Sequence, residues 1–200
     1  MIQRKSEFLT IGLLIIAILS GCSKSDQSTS KSEQPATTQK QEVVIQYSEF
    51  QRGFMQVVAN YAEKYKAAEN ELQKSKLVNE RMSEFKKLKG NPKAITDWHG
   101  VIEKMGTNSD GNAYVTLSIS PDLITFSTWN NGFSDMSDKT LIQQSSKLYN
   151  KLSEMKVGNV VKFSGQLKHP KNITEAGKMT DPDFLFKFTD ISKVGDSVNR

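Results

Sequence analysis

At 200 residues, with 36% hydrophobic and 24% charged side chains, the chain is long enough for one domain and an appendage. Its 27 basic and 22 acidic residues leave a formal charge of +5, too mild to single out a polyanionic partner. Cys22 is the single cysteine, which excludes an intrachain disulfide and a thiolate metal cluster, so a folded domain has to be held by its core.

Residues 1–22 have three parts: a charged start containing Arg4 and Lys5, an apolar run from Phe8 to Leu19, and the small residues Ser20 and Gly21 before Cys22. That is the form of a secretory signal. The apolar run falls well short of the roughly 20 residues that span a bilayer. An uncleaved anchor and a buried core helix are the alternatives, and the polar stretch that follows offers a core helix nothing to pack against.

Leu19-Ser20-Gly21-Cys22 resembles the lipobox of bacterial lipoprotein precursors. The resemblance implies export, diacylglyceryl transfer to the Cys22 thiol, cleavage between Gly21 and Cys22, and acylation of the new amino terminus by a chain such as palmitate. Two or three acyl chains, at roughly 0.8 kcal/mol per buried methylene, would hold the protein on membrane lipid. Residues 1–21 are then a cleaved signal peptide. Ser23 in place of Asp after the lipidated residue implies the outer membrane in a cell that has two.

Residues 22–42 carry the lipidated cysteine and a Ser-, Thr-, Gln- and Lys-rich tether with no large apolar side chain, which cannot bury a core. Residues 43–90 change pattern. Tyr47, Phe50, Phe54, Val58, Tyr61, Tyr65, Ala68 and Leu72 recur three or four apart, and Val78, Met82 and Phe85 resume the stripe, predicting one long helix or a pair broken near Ser75. As a single helix it would run roughly 65 Å, so part folds back, pairs with another copy or projects as a stalk. Gly90-Asn91-Pro92 stops it.

After Pro92 the apolar residues alternate, the signature of strands. Trp98, Gly100 and Ile102 face one way, and Asn108 to Asn112 reads as a hairpin turn with Gly111 at positive φ. Val115, Leu117 and Ile119 form the return strand, and Pro121-Asp122 turns into a third from Leu123 to Trp129, ended by Asn130-Asn131-Gly132. Leu141, Ile142, Leu148, Tyr149, Leu152 and Met155 have helical spacing, with Gly158 as a helix C-terminal residue. Val161 to Leu167 and Phe184 to Phe188 supply the fourth and fifth strands.

Three strands, a helix and two strands follow the order of the OB-fold, a five-stranded Greek-key barrel. Trp98-x-Gly100-x-Ile102 and the segment Lys156-Val157-Gly158-Asn159-Val160-Val161-Lys162-Phe163-Ser164-Gly165 resemble the first and fourth strands of OB-like domains in uncharacterised bacterial lipoproteins. The expected class is α+β: an N-terminal helix or helix pair, then an OB-like barrel over residues 93–195 with a helix between strands three and four. A small β-sandwich is the alternative.

In OB-like barrels ligands lie across strands two and three. Carried over to this chain, that surface implies Tyr114, Thr116 and Trp129 as candidate ligand-binding residues, with the strand-four residues Lys162 and His169 beside the adjoining loops. Trp129 could stack on a sugar or peptide or cap the barrel end. Residues 93–200 hold 13 basic and 12 acidic side chains, and Lys162, Lys168 and Lys171 make only a small cluster where nucleic acid requires a basic groove, so nucleic acid is disfavoured as a partner. His99 and His169 lie in different strands without matched carboxylates, and Asp181-Pro182-Asp183 lacks the spaced oxygen ligands of a calcium loop. No catalytic, metal or cofactor motif emerges, and no enzyme is expected. The expected function is therefore a membrane-anchored envelope lipoprotein that binds a protein or envelope polymer; an envelope-acting hydrolase or transferase using His99 or His169, a non-specific nucleic-acid binder at the cell envelope, and a purely structural spacer are the alternatives.

Overall fold

A computed structural model describes residues 45–91, 93–120, 124–170 and 179–196, the side chains of His169 and Pro170 excepted. The signal peptide, Gly21, Cys22, the tether, Pro92, the Pro121-Asp122 turn and Lys171 lie outside the described residues.

Two helices open the described chain. α1 (Glu49–Ala67) starts where the Ser48 hydroxyl accepts the Gln51 N–H, and α2 (Glu71–Lys87) where the Asn70 side chain accepts that of Gln73. The break therefore falls at Ala68 to Asn70 and not near Ser75, which lies inside α2. A side-chain cap decides the boundary, whereas the gap in the apolar stripe does not. The interruption also resets the phase: Leu72, expected to continue the stripe, is 85% exposed. α2 folds back on α1, with Phe85 stacked on Phe54 at 5.0 Å between ring centroids. Its solvent side carries ion pairs one turn apart, Lys74 with Glu71 and Lys87 with Glu84.

Five strands follow: β1 (Ile95–Thr107), β2 (Ala113–Ser120), β3 (Ile124–Ser127), β4 (Asn159–Pro170) and β5 (Asp183–Asp196). They close into a ring in the order β1-β2-β3-β5-β4, with β4 returning to β1. All neighbours are antiparallel except β3 and β5, which run parallel with Phe126 opposite Phe184. The protein is thus α+β with a mixed five-stranded sheet. The β1–β2 turn has Gly111 at φ 78° as its sequence requires.

The interior of the ring is packed with aromatic rings. Trp98, Phe126, Phe163 and Phe186 are each no more than 1% exposed, and Phe126 stacks on Phe186 at 4.9 Å. Strands this tightly coiled approach closely at Gly165, where a β-carbon would overlap the Lys187 carbonyl, so glycine is required there. α1 closes one end. Phe54 reaches Trp98, Phe126 and Phe184 at 5.3 to 5.8 Å, and Val58 is fully buried beside it. Below them Gln51 binds the edge of β1 with both ends of its amide, donating to the His99 carbonyl at 2.6 Å and accepting the His99 N–H at 3.0 Å. Of the three arrangements open to the stripe, folding back is the one adopted, onto both α2 and the ring.

Between β3 and β4 the expected helix is only partly formed. A one-turn helix, α3 (Gly132–Asp135), precedes α4 (Lys147–Ser153). Leu141 and Ile142, expected on that helix, lie before it in extended chain, where Ile142 exchanges both backbone hydrogen bonds with Ala113. Their apolar side chains are buried, which mimics helical spacing without requiring a helix. Gly158, at φ 88°, does not end α4; it sits in the turn into β4 and donates its N–H to the Ile102 carbonyl.

Candidate functional site

Opposite α1, at the other end of the ring, three pieces of chain meet: the β1–β2 hairpin, the β3–β4 connection and α4. The connection is polar, and its shape is set by side-chain hydrogen bonds. Asp135 is 7% exposed and accepts from the Thr140 backbone and hydroxyl at 2.5 and 2.6 Å and from the Leu141 N–H at 3.1 Å. Asn131 caps α3 by accepting the Ser134 N–H, and Lys139 takes φ 52° so that the chain can return to Asp135. Trp129 is pinned twice, its backbone N–H to the Thr140 hydroxyl and its indole Nε1–H to Asp138 at 2.9 Å.

This braced turn presents Phe133, 86% exposed, and Met136, 71% exposed. Exposed apolar side chains are ordinary when scattered; here two stand three residues apart on a turn braced by Asn131 and Asp135. The turn lies against the hairpin: a β-carbon on Gly132 would stand 3.2 Å from an Asp110 carboxylate oxygen and 3.9 Å from the Asn108 amide nitrogen. Beside them the hairpin and α4 enclose a recess of about 130 Å³ lined by Met105, Ala113, Tyr114, Tyr149 and Leu152.

The residues selected from sequence fall on two parts of the ring: Tyr114, Thr116 and Trp129 on β2 and the end of β3, and Lys162 and His169 on β4. Tyr114 lines the recess. Thr116 sits further along β2, opposite Lys104 on β1 and Ser127 on β3, and Trp129 is half-buried with its indole N–H engaged by Asp138. Lys162 is on β4, which β1 separates from β2, and forms an ion pair with Asp97 at 3.3 Å. His169 is on β4 too, and its side chain lies outside the described residues.

Lys162 is instead opposite His99 in the β1–β4 register. The His99 imidazole is partly buried, its Nδ1 has no hydrogen-bond partner among the described residues, and burial, followed by the charge of Lys162, pushes its pKa below the usual 6.5 against a smaller opposing effect of Asp97. Its neighbour is thus a cation whose carboxylate is already paired, a poor setting for general acid–base work. Among the described residues no group of three His, Cys, Asp or Glu side chains could hold a metal. Asp183 is used structurally: it accepts the hydroxyls of Thr125 and Ser127 and so ties the parallel pair β3 and β5 together. No described helix is long and apolar enough to cross a membrane.

Phe133, Met136 and Asp135 were not singled out from the sequence, where Asn130-Asn131-Gly132 reads as a strand end. The signal was present as two large apolar residues three apart within an otherwise polar run, Asn130 to Lys139. No protein-family model, curated protein or solved structure matches the chain.

Proposed function

We propose that the chain is a lipid-anchored envelope lipoprotein whose folded part is an OB-like barrel acting as a binding module, through the end that carries α3 and α4. The observation that carries the reading is the display of Phe133 and Met136 on a turn locked by the buried Asp135. A preorganised apolar pair loses little freedom on binding, which is how a small contact gains affinity. The solid aromatic interior favours an external contact over a ligand inside the ring. The ring order, with the parallel β3–β5 closure and α4 packed between β3 and β4 in sequence, supports the OB-like assignment. Anchoring rests on Leu19-Ser20-Gly21-Cys22.

Two measurements test it on the full chain in cells. Cys22→Ala should release the protein from membranes on alkaline extraction, and retention would sink the anchor. A photoreactive side chain at position 133 should give adducts of discrete mass that are missing when it is placed at Lys76 on α2; equal labelling from both positions would remove the binding surface.

A further inference from the structure

The clearest charge imbalance in the fold lies where α2 runs into β1. Residues 84–93 hold Lys86, Lys87, Lys89 and Lys93 against Glu84 alone, whereas residues 93–200 are nearly balanced. Lysines in the last turn of a helix offset its dipole, which accounts for Lys86 and Lys87 but not for Lys89 and Lys93 beyond its end. The fold brings a further cation from another element. Arg52 stands near the start of α1, the end of a helix that favours acidic side chains, and lines the same cleft of about 330 Å³ as Lys87 and Lys89. It is held there by donating to the Tyr47 carbonyl at 2.5 Å. Glu49 also lines the cleft and Glu84 is paired with Lys87, yet among the described residues no ion pair engages Arg52, Lys86, Lys89 or Lys93, all of them exposed. Earlier on α2, by contrast, Lys74 and Lys76 are each matched to a glutamate.

The position of this patch points to its occupant. The described residues start at Ile45, just ahead of α1, and Cys22 precedes Ile45 by 23 positions. A chain of that length spans at most about 80 Å. With acyl chains on Cys22, this end of the fold stays within reach of lipid headgroups and is the part nearest to them along the chain. We propose that Arg52, Lys86, Lys87, Lys89 and Lys93 form a headgroup site that seats this end of the fold on the phosphates of anionic membrane lipid. The inference rests on the anchor reading and adds an orientation to it. Basic side chains near an anionic lipid surface contribute roughly fivefold in affinity each. The five cations exceed Glu49 and Glu84 by three charges, worth roughly a hundredfold together, which is weak for a free protein and ample to orient one already anchored. The hairpin and α3 lie opposite α1, so this seating turns Phe133 and Met136 away from the lipid.

The test uses the lipidated full-length protein, in which acylation blocks Cys22 and an introduced cysteine is the one free thiol. Gln56→Cys in the cleft, or Ser134→Cys on α3, carries a fluorescent donor. The protein is reconstituted with a lipid-linked acceptor in vesicles of phosphatidylcholine, with or without about 30% phosphatidylglycerol. Energy transfer from position 56 should rise about twofold or more when phosphatidylglycerol is present, with no rise from position 134. About 0.5 M salt should abolish the rise, and Lys86→Gln with Lys89→Gln should at least halve it. Lys147→Gln with Lys156→Gln, which removes the same charge from the α4 end, should leave it intact. No rise at position 56, an equal rise at position 134, a rise not halved by the first pair of substitutions, or one reduced as much by the second would each overturn the inference. So would suppression by glycerol phosphate at constant ionic strength, which would mark a site for small soluble anions. Flotation reads the anchor separately: protein that floats with phosphatidylglycerol vesicles but not with pure phosphatidylcholine keeps the headgroup site and loses the anchor, and protein that floats with neither loses both. Photo-adducts from position 133 depend on none of these results, so the binding-module reading is tested apart from them.

Discussion

His99 joins two parts of the molecule through one residue. Its backbone is gripped by Gln51 of α1, while its imidazole sits half-buried near Lys162 on β4 and Asp97 on its own strand. Burial and the Lys162 charge hold its pKa below 6.5, so the folded protein keeps it neutral where the unfolded chain takes up a proton. The linkage follows: this contribution to stability is intact above the unfolded value of about 6.5 and is lost as pH falls through the lower folded value. Comparing urea midpoints at about pH 7.5 and about pH 5, the wild-type midpoint should drop more than that of His99→Gln. Equal drops in the two proteins would mean that other groups govern the acid limb.

Among the elements, the strands were legible because burial on one face writes a two-residue alternation into the chain: Val115, Leu117 and Ile119 in β2, and Phe184, Phe186 and Phe188 in β5, are all buried. The stripe of α1 was legible for the same reason, with Phe54, Val58, Tyr61 and Tyr65 facing inward. The connection from β3 to β4 was not. Its course is set by Asp135, Asn131 and Asp138 acting on backbone and indole N–H groups, and such pairings leave no period in the sequence. Lys162 sits across β1 from β2 for a topological reason, as strand neighbours around a ring are not chain neighbours. The contrast between α1 and α3 is measurable. Phe54→Ala should cost about 3–5 kcal/mol by urea unfolding, because its ring fills space between Trp98, Phe126 and Phe184. Phe133→Ser should stay within about 0.5 kcal/mol of wild type, since the ring it removes is almost wholly in solvent. A large loss in the second variant would make Phe133 a structural residue.

At the scale of the whole molecule, the helix pair and the ring share one core. Phe54 and Val58 from α1 belong to the same apolar cluster as Trp98, Phe163 and Ile191 from the ring, and Phe50 and Phe85 pack against it. α1 should therefore open only with the ring, whereas α2, of which Arg81 is the one buried residue, should fray on its own. Native-state hydrogen exchange reads this directly: amides around Val58 and Val161 should share one opening free energy, with those near Ser75 well below it. A markedly lower value at Val58 would show that the ring stands without its helix.

Sharing a core across the sequence also sets a timetable. A chain that emerges amino terminus first delivers α1 early, yet the ring that covers Phe54 is complete only when β5 and its Phe184 arrive after the other four strands. Until then the ring-facing side of α1, with Phe54 and Val58, is covered by α2 alone, and a contact between such distant segments is slow to form. Newly made protein therefore passes through an interval in which its apolar helix is a handle for whatever holds unfolded chains, and that interval ends with the last strand.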